Sequence, residues 1–582
     1  MTLQINNKKV VGQPGQTILE VAKANGIDIP SLCYHPDLKI KANCRVCVVE
    51  IKNSVRLKTA CSTLVEEGME IYTNSARVKK ARNLNIELLF AEHIEKCQAC
   101  VSRYNCDLLE LARKYQVKIA RFKDRKSERK TYKFANAVEL DGTQCIDCKN
   151  CVEACENQGI NYLKMTGHGI NQEVEPVKNS QVACIYCGQC ATHCPVAAAQ
   201  EQTEWEQVEK IIKDKSKIVV AQFAPAVRVS LGEEFGLPPG TNCTEKINTA
   251  LKKLGFRYIF DINFGADITT MVEAEELIER LNNKKAVFPM FTSCCPAWVA
   301  YVEFYHPELI SNLTTARSPH IHLAGAIKTY WAKKKQLNPR QIVVVSIVPC
   351  TAKKYEAARL ELKLDGQPLV NQVLTTRELA FLIKKNNLDF KKLPASQSEK
   401  LFNDGSGAAA IYGASGGVME SALRTANALF CQEDKNPICN SQLEFKEVRG
   451  LKGFKEATIS FGKKKLRVGV VNGIANLKQV LPKLNKYHYI EVMACPGGCL
   501  GGGGQPIPTT REIRQKRMAG MYSIDENKKV RRAHDNQAMK DYYDWVKKNK
   551  LSSKVLHTRF KKSLGSSLIA SRGKTKSIFN FL

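Results

Sequence analysis

Four cysteines in the C-terminal half stand in contexts that suit a soft metal. Residues 292–298 read TSCCPAW, residues 348–356 read VPCTAKKYE, and residues 491–506 read EVMACPGGCLGGGGQP. They carry Cys295, Cys350, Cys495 and Cys499 at widely separated points of one domain, which is how a fold encloses a metal cluster. Thiolates are soft ligands that select Fe–S clusters, Cu(I) or zinc. Pro296 suits the first position of a helix, so Cys295 should sit at the N-terminus of a run over 298–305, where the macrodipole favours a thiolate. Cys350 likewise precedes a helical run over 352–360. Gly497, Gly498 and the glycines at 501–504 remove side chains, so the backbone can close on a bulky inorganic group. One buried cysteine is equally well explained as a small core hydrophobe. Four in these contexts are not.

Of the 23 cysteines, 15 precede residue 200, in groups that point to metal in a reducing compartment rather than to disulfides. Cys33, Cys44, Cys47 and Cys61 form the first group, with a first gap longer than the plant-type ferredoxin spacing. A zinc site is the rival there. His93 then stands just ahead of Cys97, Cys100 and Cys106. Two further sets follow: Cys145, Cys148, Cys151 and Cys155, then Cys184, Cys187, Cys190 and Cys194, with Pro195 after the last. This is the bacterial two-cluster ferredoxin pattern, in which each fourth cysteine serves the other cluster. Cys194 should therefore join the first three, and Cys155 the second three. Glu156 occupies the place usually held by proline after the first set. If each of these groups holds a cluster, four clusters with no catalytic residue among them would make a wire.

The elements that must position these groups can be read in outline. A chain of 582 residues with 44% apolar content suits about three to five domains with real cores. A strand-like hairpin spans 3–11 with turn residues at 12–15, and a helix spans 17–25, ended by Gly26. From about 210 to 560 short buried strands at 217–222, 287–291, 342–348, 467–471 and 489–493 alternate with helices, which predicts an α/β domain. Several cysteine motifs directly follow those strands, where α/β sheets place their sites. In the helix predicted over 269–281, Ala274, Leu277, Ile278 and Leu281 form the apolar stripe. Glu273, Glu276 and Arg280 lie on its border, and border carboxylates can be partly buried with raised pKa; Glu275 and Glu279 point further out.

The formal net charge of +31 suits an acidic partner or reflects a solvated lysine-rich surface, and no nucleic-acid motif accompanies it. No apolar run approaches the roughly 20 residues that span a bilayer, and no secretory segment opens the chain, so a cytoplasmic location is expected. Cys243, Cys431 and Cys439 fit no ligand motif and are taken as structural. The basic tail, 561–582, is expected to be disordered.

The three C-terminal motifs and the N-terminal arrays together resemble the iron-only (FeFe) hydrogenases over nearly the whole chain. The resemblance implies a multidomain α+β and α/β protein. A β-grasp 2Fe–2S ferredoxin would occupy 1–78 and a 4Fe–4S domain with one-histidine, three-cysteine ligation 79–125. A two-cluster 4Fe–4S ferredoxin would follow at 126–205, and an H-cluster catalytic domain at 210–560. It implies the cofactors: one 2Fe–2S, three accessory 4Fe–4S, and an H-cluster. The last is a 4Fe–4S cluster on Cys295, Cys350, Cys495 and Cys499, bridged by Cys499 to a di-iron unit with CO, cyanide and a dithiolate. The reaction would interconvert protons, electrons and H2.

By the same resemblance Cys294 passes protons at the cluster, Glu273 stands nearer and Glu276 further out with Arg280 beside it, and Thr314 takes a hydroxyl position usually held by Ser. Lys353 matches the lysine that bonds a cyanide, and Pro225, Met493 and Gly413 match pocket residues. Four positions depart from the family pattern: Val348 replaces Met, His320 replaces Gln, Tyr412 replaces Phe, and Ala226 offers no hydroxyl. Such neighbours of a metal group tune potential, oxygen sensitivity or catalytic bias. With no flavin or NAD motif in the chain, an acidic ferredoxin is the expected electron partner. Maturation proteins would build the cofactor, and the chain is expected to be a monomer. The alternatives are an H2-sensing or low-activity homologue, a cytosolic iron–sulfur assembly factor, and an electron-transfer subunit of the NADH dehydrogenase type.

Overall fold

A computed structural model describes residues 1–93, 97–98, 100–399, 402, 405–433, 444–461, 464–563 and 568–572. Cys439 and the side chain of Cys431 lie outside that description.

The chain opens with the antiparallel pair Thr2–Ile5 and Lys8–Val11. Its turn is Asn6-Asn7, both at positive φ, and not the segment 12–15. Asparagine tolerates the left-handed conformation that a two-residue hairpin demands. Glu70–Tyr72, Val48–Ile51 and Lys58–Thr59 complete a five-stranded sheet. The helix Ile18–Ala24 is fixed by a capping box between Thr17 and Glu20.

A second sheet joins Ala199–Glu201, Val138–Asp141, Lys130–Phe134 and Leu568–Arg572 in that order. The last strand belongs to the tail expected to be disordered. It pairs antiparallel with Lys130–Phe134, whose outer edge offers a ready row of backbone partners.

The C-terminal half holds two four-stranded sheets. In the first, Tyr258–Asp261, Ile218–Phe223, Ile342–Val348 and Gln372–Thr375 run parallel throughout. Every residue of Ile342–Val348 is buried, as in a strand covered on both faces. In the second, Met290–Phe291, Tyr489–Met493 and Lys464–Asn472 are parallel, and Phe454–Phe461 returns antiparallel. The strand expected at 287–291 shrinks to Met290–Phe291 because Pro289 has no N–H for a ladder. The helix around Glu273 runs from Asn263 to Asn282, longer than its polar stripe suggests, since its first three turns are buried on all sides. The helix after Cys350 is shorter than expected, Ala352–Ala357.

Carboxyl ends of strands from both sheets converge on one place. Ile218–Phe223 leads to Pro225, Ile342–Val348 to Cys350, Met290–Phe291 to Cys294 and Cys295, and Tyr489–Met493 to Cys495 and Cys499. No helix among the described residues is long and apolar enough to cross a membrane.

Candidate active site

Cys295, Cys350, Cys495 and Cys499 line a single cavity. Cys294, Lys353, Pro225, Met493, Gly413, His320 and Val348 line it too, as do Ala226 and Tyr412. Apart from Lys353, His320 and the Tyr412 phenol, its wall side chains are apolar or sulfur. Four soft donors in such a wall fit an iron–sulfur group and not a hard cation, which needs oxygen ligands. Cys295 is the N-cap of the helix Pro296–Tyr305, as its proline promised. The N–H groups of Ala297 and Trp298 do favour its thiolate, yet burial outweighs them and raises the thiol. Burial likewise raises Cys495 and Cys499, and drives Cys350 to about 12. The helix end alone therefore does not make a thiolate here; metal binding must displace the protons.

The glycine-rich stretch does less enclosing than expected. Gly498 and Gly502 line the cavity. Gly503 instead lies against Cys187 and Gly188, where an added Cβ would sit 2.6 Å from the Cys187 carbonyl oxygen. Gly501 and Gly504 admit Pro496 and Thr375.

A line of acid groups leads away from the cavity. Cys294 is buried, its thiol raised by burial and by the neighbouring Glu273. Glu273 is fully buried, and Tyr489 donates to its Oε2 at 2.9 Å. Burial lifts its carboxyl to about 8, against the pull of that bond and of the Ser293 N–H. One turn on, Glu276 Oε2 accepts from Thr314 Oγ1 at 2.6 Å and from the Thr315 N–H at 2.9 Å. Its Oε1 accepts from Arg280 Nη2 at 2.7 Å. Arg280 also donates to the Asn312 and Leu313 carbonyls, which pins the pair. Thr315 meets His557 Nδ1 at 2.9 Å, at the exposed end of the line. Tyr489, Thr315 and His557 carry no motif that would have announced them.

Opposite the acid line sits a clasp. Glu356 Oε2 accepts from Lys353 Nζ at 2.6 Å, His320 Nε2 at 2.7 Å and Ser318 Oγ at 3.0 Å. Burial would raise this carboxyl, but the Lys353 and His320 contacts hold it down to about 2. Glu356 was missed although its signal was present: it lies one turn beyond Lys353.

Residues 217–503 match the family "Iron only hydrogenase large subunit, C-terminal domain", and residues 511–563 match "Iron hydrogenase small subunit". The segments 1–76 and 144–198 match a 2Fe-2S iron-sulfur cluster binding domain and a 4Fe-4S dicluster domain. Iron hydrogenase 1 of Clostridium pasteurianum is 39% identical, over 96% of this chain and all 100% of that one. NADP-reducing hydrogenase subunit HndD of Solidesulfovibrio fructosivorans is 38% identical over 96% of this chain and 98% of its own. The chain belongs to the iron-only hydrogenases. A solved [FeFe]-hydrogenase HydA1 from Chlamydomonas reinhardtii matches with a TM-score of 0.54 and 35% identity, over 61% of this chain and 98% of that one.

In this hydrogenase several of the accessory ligand candidates lie near one another. The thiols of Cys33 and Cys44 lie close together, as do those of Cys47 and Cys61, and Cys33 lies near both of the latter. Cys97, Cys100 and Cys106 act on one another. His93 Nδ1 donates to the Gln144 carbonyl at 2.9 Å, which fixes the proton on that nitrogen. Cys194 lies near Cys145, Cys148 and Cys151, and Cys155 near Cys184, Cys187 and Cys190. Cys33 is felt at Cys148, and Cys194 at Cys100. At the other end Cys187 feels Cys350 and Cys295, and the Cys495 thiol lies 3.8 Å from the Cys187 carbonyl oxygen.

Proposed function

We propose a ferredoxin-linked hydrogenase, acting as a cytoplasmic monomer. Cys295, Cys350, Cys495 and Cys499 would hold its H-cluster. The observation that carries this is the closure of four thiols, from three separate motifs, around one apolar cavity. When bound, the di-iron unit supplies the metal at which H2 is formed or split.

The chain's own share is protons, charge and electrons. Cys294, a neutral thiol at the cavity wall, hands protons to and from Glu273. A carboxyl near pKa 8 can both give and take a proton at neutral pH. Glu276 continues the path, with Thr314 as the hydroxyl beside it and Arg280 holding it at the surface end. Lys353 offers its ammonium to an anionic cyanide. Pro225, Met493, Gly413, His320 and Val348 shape the wall.

The electron path uses one 2Fe–2S cluster on Cys33, Cys44, Cys47 and Cys61, and one 4Fe–4S on His93, Cys97, Cys100 and Cys106. Two more 4Fe–4S clusters sit on Cys145, Cys148, Cys151, Cys194 and on Cys184, Cys187, Cys190, Cys155. The excess of 31 positive charges suits an acidic ferredoxin. The likeness to an NADP-reducing subunit favours a second electron route, through a partner subunit that handles the nicotinamide.

Two measurements test this. An infrared spectrum of matured protein should contain CO and cyanide stretching bands; their absence from iron-replete, matured protein removes the H-cluster assignment. Under H2, the purified chain should reduce ferredoxin unaided. Reduction that appears only when a nicotinamide-binding subunit is added would replace ferredoxin by the second route.

A further inference from the structure

His320 stands where the family pattern usually has Gln, and the proton path does not use it. It lines the cavity and is only 2% exposed. Both ring nitrogens are engaged. Nε2 meets the Glu356 carboxylate at 2.7 Å, so it carries the proton and donates. Nδ1 is then the acceptor, and Ser346 Oγ, 3.2 Å away, donates to it. Ser346 in turn accepts from Gln222 Nε2, whose other contact is the His320 carbonyl at 2.8 Å. Burial and the Lys353 charge keep the imidazole neutral.

The same Glu356 oxygen holds Lys353 at 2.6 Å. Lys353 Nζ spends a second N–H on the Cys294 carbonyl at 3.1 Å. An ammonium has three N–H bonds, so one remains for the cavity that Lys353 lines. Its direction is set by the other two.

We propose that His320 is a positioning residue for Lys353: it fixes the Glu356 carboxylate, and the carboxylate fixes which way the lysine's remaining N–H faces and how much of its charge reaches an anionic group in the cavity. Glutamine can donate one hydrogen bond to Glu356, but its side chain is flexible where the imidazole is rigid and braced by Ser346 and Gln222. The histidine therefore makes the clasp stiffer, not merely present. This rests on the role proposed above for Lys353, and the test separates the two.

Matured wild type, His320→Phe, His320→Gln and Lys353→Met are compared by infrared spectroscopy and by the potential at which the bands change. His320→Phe should move the cyanide bands in the direction that Lys353→Met moves them, by less, with H2 uptake about 10-fold lower. His320→Gln should return the bands toward wild type, which a purely structural loss would not do. Unmoved bands in His320→Phe beside moved bands in Lys353→Met overturn the proposal and leave the lysine's role standing. Unmoved bands in Lys353→Met remove both. If His320→Phe fails to mature, Ser346→Ala keeps the ring and loosens its brace. It should show a smaller shift of the same sign, and an unshifted spectrum there overturns the proposal equally.

Discussion

Tyr489 donates a hydrogen bond of 2.9 Å to Glu273, and neither side chain is reached by solvent. Burial favours the protonated carboxyl and the phenol favours the carboxylate; burial prevails, and Glu273 titrates near 8. Tyr489→Phe removes the opposing contact, so the carboxyl should move above that value. The pH profile of H2 turnover with a fixed dye should shift upward, with cluster content unchanged by iron analysis.

Glu273→Gln removes the titration altogether. Turnover should fall by about 10²–10⁴, the range for losing a general acid–base group. Stability gives an independent check. The folded carboxyl binds its proton more tightly than the ordinary value of 4.5. The folded state thus holds more protons between about pH 4.5 and 8, and this group's contribution to stability declines as pH rises through that window. Denaturant melts of wild type and variant at pH 5 and pH 8 should show a smaller pH-dependent loss in Glu273→Gln.

Thr314 reaches Glu276 through its hydroxyl at 2.6 Å. Thr314→Val keeps the shape and loses that bond, and turnover should drop about 10-fold. Thr314→Ser should restore it. Equal losses in both variants would argue that the hydroxyl alone is not enough and that the methyl group is needed as well.

An alanine at Gly503 would press its Cβ to 2.6 Å from the Cys187 oxygen. Overpacking of this kind costs about 1–3 kcal/mol, visible as a lower melting temperature. The contact joins the ferredoxin segment to the catalytic domain. Turnover driven by ferredoxin should therefore suffer more in Gly503→Ala than turnover driven by a small dye that reaches the catalytic cluster directly.

Glu201 and Arg377 form a buried ion pair across the same junction, and Arg377 also donates to the Gly503 and Gln505 carbonyls. Glu201→Gln leaves a buried cation without its partner, at a cost of about 3–5 kcal/mol. Burial would raise Glu201, but Arg377 and Thr375 hold it below its ordinary 4.5. Its stabilisation is present above pH 4.5 and is lost as pH falls below that. Acid melts should reveal this loss in wild type and a flatter curve in the variant.

Sequence motifs marked out Cys295, Cys350, Cys495 and Cys499, which line one cavity, because soft-ligand chemistry tolerates few alternatives. The spacing also set Cys194 with Cys151 and Cys155 with Cys184, and the members of each pair lie near one another. It also foretold Cys295 at a helix start, through Pro296. What it missed depends on distant contacts. The strands Tyr258–Asp261 and Gln372–Thr375 are short and become strands by pairing with buried neighbours. Tyr489 meets Glu273 across 216 positions of chain, beyond the reach of any periodicity. The tail strand Leu568–Arg572 escaped because composition says nothing of an open sheet edge elsewhere. Glu356 was within reach, since a carboxylate one turn from a buried lysine is a standard partner.

Cys148 feels Cys33 on one side, while Cys194 of the same group is felt at Cys100 on another. On the electron path proposed above, two antechambers would open onto a single corridor. A lesion in either would leave traffic through its twin, whereas a lesion in the corridor would strand the cavity entirely.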